Sequence, residues 1–208
     1  MLHNQVIVNR GEVVKRLYRD YNRGMEVERL HSWQVSPTET SAIQRQLAAQ
    51  ISTSSEVTTP RFITGVDISV NRAPGTATGT VVILNYPELR LIETKTTDGN
   101  PDFPYISRRL SFRKSPLTLA AYKRLATTPN LILVDRQGVA HPQRMGLTCH
   151  LGFFFKTPAM GCAKSPLYGS HEAAEVDSGS YAEAVDRKEP IGITLRTKRG
   201  GHLRLHQS

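Results

Sequence analysis

The fold is decided by one stretch of the chain, LILVDRQGVAHPQRMGLTCHLG, which covers residues 131–152. Its first four residues are apolar and predict a short buried strand, and residues 145–150 have the apolar spacing of a helix. Asp135 follows the strand directly. Open α/β sheets usually place their chemistry at this point, the carboxyl end of a core strand, although an Asp here also commonly caps a helix or a turn. The stretch therefore predicts an α/β fold and leaves both roles of Asp135 open.

An earlier helix start is marked by a capping box. Ser36 and Glu39 stand three residues apart, and Pro37 suits the first turn of a helix. We expect this helix to end near residue 50. Its buried face is expected to carry Ile43, Leu47 and Ile51.

Strand patterns occur on both sides of residues 131–152. They occupy residues 62–70, 79–85 and 89–96 before it, and residues 159–163 and 191–197 after it. The short links between the first three indicate an antiparallel meander. A helix is expected at residues 116–125 and a polar loop at residues 169–184. The predicted fold class is α/β, with a mixed central sheet and helices on both faces, in a single domain.

Composition restricts the kinds of partner and compartment. The 208 residues carry a formal net charge of +9 and a sequence pI of about 9.8, which favours a polyanionic partner such as nucleic acid. The two cysteines, Cys149 and Cys162, form neither a disulfide framework nor a zinc pattern, which indicates a reducing compartment. No run is apolar enough to span a membrane, and the first residues lack the apolar core of a signal peptide. We therefore expect no membrane partner and a cytoplasmic location, or the nucleus in a eukaryote.

Residues 1–28 are basic and contain few large apolar side chains. Residues 12–21 can form a basic helix that touches phosphates, or can remain a frayed extension. Met25 begins a more domain-like sequence and is an alternative start of the protein. The predicted organisation is a basic extension at residues 1–28 and one domain at residues 29–208.

Asp67 lies inside an apolar strand pattern, FITGVDISV, at residues 62–70. A carboxylate is costly to bury there unless a metal or another cation compensates it. If the strand at residues 131–134 pairs parallel to this one, Asp67 and Asp135 become neighbours. Two adjacent carboxylates offer the hard oxygen ligands that Mg²⁺ prefers, and water and a substrate phosphate can complete its coordination. The sequence thus predicts a Mg²⁺ site suited to phosphodiester cleavage.

Six motifs occur in one order along most of the chain: LHSW (30–33), AIQRQLAAQI (42–51), GVDIS (65–69), FPYISRRLSFRK (103–114), LVDRQGVAHPQRMGL (133–147) and GCAKSPLYG (161–169). In these motifs the chain resembles the endonuclease V family. The resemblance implies a ribonuclease-H-like fold and dependence on Mg²⁺, for which Mn²⁺ can substitute. It implies hydrolysis of the second phosphodiester bond 3′ to deoxyinosine or inosine, leaving 3′-hydroxyl and 5′-phosphate ends. The implied partners are DNA containing deoxyinosine or RNA containing inosine, and a monomer is expected.

The resemblance also assigns catalytic roles to individual residues. Asp67 and Asp135 match the metal-binding and catalytic aspartates. Lys164 matches an active-site lysine that faces the scissile phosphate. His141 matches a histidine near the metal site, where direct catalysis and a structural His-Pro turn both stay open.

Base recognition is assigned in the same way. Tyr105, flanked by Pro104 and Ile106, matches the wedge that fills the gap left by an extruded base, a role that suits a flat amphipathic ring. Ordinary packing is the alternative for Tyr105. Leu110 and Gly138 match the pocket that receives the base.

Several positions depart from the family pattern. Lys114 stands where the family has a third acidic residue, which predicts a sharp fall in Mg²⁺ affinity. Ser107-Arg108 replaces Pro-Gly, and Arg136 replaces a glycine, so that arginine either crowds the base pocket or contacts a phosphate. The chain after Gly200 does not match the family's Ser-Pro-Gly-His motif and closing helix, and the predicted domain is truncated there. The alternative function is therefore a catalytically impaired, nucleic-acid-binding remnant of the family.

Overall fold

The computed structural model describes residues 24–53, 57, 59–70, 75–101, 103–104, 106, 109–165, 167–199 and 203–207. These residues contain three helices and nine strands. The helices are α1 (Pro37–Ala48), α2 (Leu110–Tyr122) and α3 (Leu147–Phe155). The strands are β1 (Phe62–Val70), β2 (Ala77–Asn85), β3 (Leu91–Gly99), β4 (Leu131–Val134), β5 (Ala159–Ala163), β6 (Ser170–His171), β7 (Tyr181–Asp186), β8 (Glu189–Arg196) and β9 (Leu203–Gln207).

The strands form one mixed sheet in the order β3-β2-β1-β4-β5-β9-β8-β7-β6. β1, β2 and β3 form the predicted antiparallel meander, and β4 pairs parallel to β1 and to β5. β9 then pairs antiparallel to β5 and to β8. The predicted mixed sheet in a single domain is confirmed.

The capping box at the start of α1 is present as predicted. The Ser36 hydroxyl accepts from the Glu39 backbone N–H at 3.3 Å, and the Glu39 carboxylate accepts from the Ser36 backbone N–H at 2.6 Å. The buried face differs from the prediction, because α1 buries Thr40, Gln44 and Leu47. Ile43 and Ile51, which we expected on that face, are only half-buried. The Gln44 side chain instead donates to the Met145 carbonyl at 3.0 Å, which satisfies the buried amide.

α2 begins six residues before the position predicted from Pro116. Proline favours the first turn of a helix, but here it lies inside one, where it lacks a backbone donor. The tertiary contacts outweigh this local preference, because Phe112, Leu119 and Tyr122 of the same helix are buried in the core. The expected start at residue 116 is therefore wrong.

The C-terminal part contains more sheet than we predicted. Residues 169–184, expected as a polar loop, contain β6 and the first four of the six residues of β7. The strand pattern at residues 191–197 corresponds to β8, but it is not the last strand, because β9 follows and lies between β5 and β8.

The main core lies on one face of the sheet. Val66 pairs in register with both Val81 and Val134, so these side chains point to the same side. There they pack with residues of α2 and α3, among them Leu119, Tyr122, Leu151, Phe154 and Phe155.

The opposite face is open. Gly65, Val82, Leu133 and Cys162 alternate with the core residues and line a groove of about 520 Å³ on that face. The two helices that pack closely on strands, α2 and α3, contact each other and lie together on the core face. We expected helices on both faces of the sheet. In the part of the chain that the structure describes, helices cover one face.

The described chain begins in contact with the core. Met25 and Val27 pack against the main cluster, and the Glu28 N–H donates to the Phe154 carbonyl at 2.9 Å. These residues fall inside the predicted extension at residues 1–28, whereas its predicted helix at residues 12–21 lies outside the described residues. No helix among the described residues has the length and apolar character needed to cross a bilayer.

Candidate active site

Asp67 and Asp135 lie side by side at one edge of the open face. Val66 of β1 is paired with Val134 of the parallel strand β4, so the next residue of each strand points to the opposite side from the core. Asp67 is exposed, and the Asp135 side chain is 39% exposed. The adjacency predicted from the sequence is confirmed, and both carboxylates are accessible to a ligand.

Lys164 lies next to this pair, one residue beyond β5. Its Nζ is 2.9 Å from Oδ2 of Asp135, and the lysine side chain is 70% exposed. A salt bridge this exposed contributes little to stability. Lys164 therefore remains available to pair with a phosphate that approaches Asp135.

Arg136 contacts the same aspartate from the other side. Its Nη1 donates to the Asp135 carbonyl at 2.5 Å and lies 3.8 Å from Oδ2 of Asp135. The backbone carbonyl of Arg136 accepts from the Thr148 hydroxyl of α3 at 3.0 Å. The loop after β4 is thereby held against the start of α3.

Lys114 of α2 is buried beside both carboxylates. It lines a small cavity together with Asp67, Asp135 and Arg136, and its Nζ donates to the Ile68 carbonyl at 3.3 Å. Burial lowers the pKa of Lys114, and the positive charge of Arg136 lowers it further, whereas Asp67 and Asp135 act in the opposite direction. The position where the resemblance predicts an acidic residue thus holds a cationic side chain inside the site.

The residues present fit a divalent metal ion only in part. Asp67 and Asp135 supply two carboxylates of the right chemistry. Three cationic side chains, Lys114, Arg136 and Lys164, face or contact them. Nowhere in the described ranges do three or more His, Cys, Asp or Glu side chains form a group that could hold a metal ion, so any ion would depend on these two carboxylates with water and substrate. The excess of positive charge favours a phosphate more than a divalent cation.

A pocket of about 190 Å³ lies next to this site, and Leu110, His141 and Arg136 are among the residues that line it. Gly138 does not line this pocket, and the base-pocket role of Leu110 and Gly138 stays a prediction. Gly138 shapes the wall from behind, because its carbonyl accepts from the Gly146 N–H at 2.9 Å. A Cβ on Gly146 would come within 2.2 Å of the Gln137 carbonyl oxygen, so only glycine permits this close approach of the two backbone segments.

His141 is buried in the wall of that pocket. Its Nδ1 accepts from the Gln143 backbone N–H at 3.2 Å, which places the proton of a neutral imidazole on Nε2. Arg136 lines the pocket with it and also reaches the carboxylates. His141 and Arg136 thus line the same pocket, and the catalytic role of His141 stays a prediction.

The predicted wedge is described only in part. Tyr105 lies outside the described residues, as do Ser107 and Arg108. Pro104 is exposed and Ile106 is half-buried, and the Ile106 carbonyl accepts from the Arg109 N–H at 3.1 Å just before α2. The wedge role of these three residues stays a prediction.

Several pocket residues escaped the sequence reasoning, among them Gln44, Met145 and Leu167. Gln44 carried a usable signal, since a polar residue one position from the expected apolar face indicates a specific buried hydrogen bond. Leu167 gave no signal, because an exposed leucine in a loop is common.

Comparison with known proteins agrees with this fold. The sequence pattern of the Endonuclease V family matches residues 45–203. The endonuclease V of Dehalococcoides mccartyi is 39% identical over 176 residues, which cover 85% of this chain and 79% of that relative. The crystal structure of endonuclease V from Streptomyces avermitilis has a TM-score of 0.80 at 31% identity, over 85% of this chain and 78% of that one.

The fold extends to more distant proteins. Endonuclease V from Ciona intestinalis, solved in complex with DNA containing an inosine, has a TM-score of 0.66 at 20% identity and covers 82% of each chain. At that identity the likeness concerns the fold alone. The mixed sheet is thus the predicted ribonuclease-H-like fold, and the chain belongs to the endonuclease V family of nucleases.

Proposed function

We propose that this chain is a slow endonuclease that acts at inosine in nucleic acid and hydrolyses the second phosphodiester bond on the 3′ side. The observation that carries the proposal is the pair Asp67 and Asp135, which leave adjacent parallel strands side by side with Lys164 against Asp135. Family membership supplies the reaction class. The net charge of +9 suits a polyanionic substrate.

Asp67 and Asp135 would hold Mg²⁺, for which Mn²⁺ can substitute. When bound, the ion would stabilise negative charge that develops on the phosphate during hydrolysis. Lys164, exposed beside Asp135, would pair with a phosphate oxygen and orient the backbone. Lys114 opposes ion binding through its positive charge, which is the reason we propose slow turnover.

The substrate would be DNA containing deoxyinosine or RNA containing inosine. The relative from Ciona intestinalis was solved with DNA containing an inosine followed by a ribo-adenosine. The pocket lined by Leu110, His141 and Arg136 would receive the base, with Tyr105, Pro104 and Ile106 as the wedge. A monomeric protein in the cytoplasm, or in the nucleus of a eukaryote, completes the proposal.

A second candidate function is recognition of inosine without cleavage. The observation that favours it is Lys114, a buried cation beside the two carboxylates that would otherwise hold the metal ion. Such a protein would keep the pocket and the basic surface and would bind nucleic acid equally well with and without divalent ions.

The experiment is cleavage of a labelled oligonucleotide with a single deoxyinosine, in Mg²⁺, in Mn²⁺ and in EDTA. We compare the wild type with Asp135→Asn, with Lys114→Glu, and with Lys123→Glu, a control on the exposed C-terminal end of α2. The proposal predicts slow nicking 3′ to the lesion by the wild type, faster nicking by Lys114→Glu, and none by Asp135→Asn. A silent wild type beside an active Lys114→Glu variant would replace it with the second candidate.

A further inference from the structure

Arg136 lies where two features of the molecule meet. Arg136 is one of the residues that line the pocket of about 190 Å³, together with Leu110 and Met145. It also lines the small cavity of Lys114, Asp67 and Asp135. An arginine shared by a ring-sized pocket and a candidate cleavage edge can contact both the base and the backbone of one nucleotide.

The pocket has the size and lining of a site for a single base. Pockets for drug-sized ligands usually measure about 300–1,000 Å³, so a volume of about 190 Å³ suits one planar ring system. Apolar side chains form most of its walls: Leu110, Met145, Leu147 and Leu167. Two hydrogen bonds hold the backbone of the wall in place. The Gln44 amide donates to the Met145 carbonyl, and the Gly146 N–H donates to the Gly138 carbonyl.

Within the described residues, only some of the hydrogen-bond donors of the Arg136 guanidinium are used. Nη1 is engaged with the Asp135 carbonyl, and across the described residues no hydrogen bond joins Nε or Nη2 to another group. Among the described residues that line the pocket, Arg136 alone carries a guanidinium. Its side chain is 35% exposed, so it can turn towards a bound base without leaving a buried charge behind.

We propose that Arg136 determines the base specificity of the pocket by donating hydrogen bonds to the O6 and N7 acceptors of a 6-oxopurine. This inference rests on the proposed function and names the residue that reads the base. Arginine contacts this edge bidentately in nucleic-acid recognition. Hypoxanthine and guanine both present the two acceptors, whereas adenine presents an amino donor at position 6 that would face the arginine donors. The expected preference is therefore for 6-oxopurines over adenine.

A phosphate contact by Arg136 would affect binding differently from a base contact. If the guanidinium only pairs with a backbone phosphate, its removal weakens binding uniformly across all bases and reduces the salt dependence of binding by about one unit of slope. If it reads the base, its removal abolishes the preference among bases. The two uses are separated by measuring affinities for several bases at several salt concentrations.

The test is fluorescence-anisotropy binding in EDTA, which prevents metal-dependent cleavage. The probes are single-stranded oligonucleotides with one hypoxanthine, guanine or adenine at the same position, so that base-pair opening does not contribute. The proteins are the wild type, Arg136→Ala, Arg136→Lys and the control Arg90→Ala, whose residue is exposed at the β2–β3 turn. The melting temperature of each variant confirms that it is folded.

We expect the wild type and Arg90→Ala to prefer hypoxanthine over adenine by about tenfold, within the range of one bidentate contact. Arg136→Ala should lose this preference, and Arg136→Lys, which has no planar fork, should lose most of it. The ratio of hypoxanthine to guanine should stay unchanged in all four proteins.

Three results would overturn the inference. A wild-type preference that Arg136→Ala retains overturns the role of Arg136 and leaves the proposed function standing. A uniform loss across bases together with a smaller salt slope makes Arg136 a phosphate contact instead. A folded wild type without any preference for hypoxanthine overturns the proposed function itself, and the inference with it.

Discussion

The two faces of the sheet are built for different purposes. On the covered face, Val66, Val81 and Ile132 are almost fully buried under α2 and α3. On the open face, Val82 and Leu133 alternate with them along the same strands but remain partly exposed in a groove that ends at Asp67 and Asp135. The covered face therefore supplies most of the stability, and the open face supplies the chemistry. One strand can do both because successive residues point to opposite sides.

Adjacent residues of β4 provide the most direct test of this difference. Ile132→Ala removes a side chain that is fully buried, and we expect it to lower the free energy of unfolding by about 2–5 kcal/mol. Leu133→Ala, on the open face, should lower it by less than about 1 kcal/mol, because the leucine already contacts solvent. Urea denaturation of both variants measures the two values. Equal losses would mean that the open face is as well covered as the other.

The covered face also contains a pH-sensitive element. Nε2 of His31 and Nε2 of His150 are 2.7 Å apart, so one ring must donate and the other accept. His31 Nδ1 lies 2.7 Å from the Ser32 carbonyl and so carries the proton, which leaves His150 to donate. Burial lowers the pKa of both imidazoles, and the neighbouring His31 lowers that of His150 further. Both rings are therefore neutral in the folded protein near pH 7.

Acidification should destabilise the protein through this pair. A folded-state pKa below the unfolded value of about 6.5 means that the unfolded chain binds more protons, so stability is present above pH 6.5 and is lost as pH falls below it. Each ring contributes up to about 1.4 kcal/mol per pH unit in that window. Urea denaturation midpoints give the slope of stability against pH. They are measured from pH 7.5 to pH 5.5, about one unit either side of 6.5.

A pair of matched variants tests whether His150 contributes to this dependence of stability on pH. His150→Phe removes the ring that is fully buried among Trp33, Phe112 and Phe154 and should flatten the pH dependence. His171→Phe, a half-buried histidine in the C-terminal strands, serves as the control and should leave it unchanged. His31 remains in this variant and keeps part of the slope, so a slope as steep in His150→Phe as in the wild type would assign it to other groups.

A smaller effect is expected at the boundary between the two faces. Lys114 reaches from α2 to the carboxylates of the open face. Lys114→Glu replaces a repelling charge with a ligand, and we expect Mg²⁺ and Mn²⁺ affinity to rise by at least about tenfold, or 1.4 kcal/mol. Isothermal titration calorimetry measures the ion directly, independently of cleavage. Unchanged affinity, with Lys123→Glu as the control, would show that the charge of Lys114 does not limit metal binding.

The sequence predicted the central strands well because their signals are local. β1, β4 and β5 have the predicted bounds, since each is a short apolar run between turn residues. The juxtaposition of Asp67 and Asp135 followed from one further assumption, the parallel pairing of β1 and β4.

The missed elements depend on contacts that are distant in sequence. β7 buries Ala184 but leaves Tyr181 and Glu183 exposed, so its sequence carries little apolar alternation. The side chain of Lys114 is buried although lysine is usually exposed, and only the neighbouring strands explain this. The pairing of His31 with His150 joins residues 119 positions apart, which no local pattern can indicate.

The position of β9 has a consequence for the order in which the protein is made. β9 pairs with β5 on one side and with β8 on the other, although residues 203–207 are the last strand in the described sequence. During synthesis, β1 to β5 can assemble early, while β6 to β8 can form only their own meander. The two parts present unpaired strand edges until residue 207 emerges, and such edges favour pairing with other chains. A strand that is made after both of its neighbours therefore enters between them, and translation that stops before residue 203 would leave β5 and β8 with exposed edges.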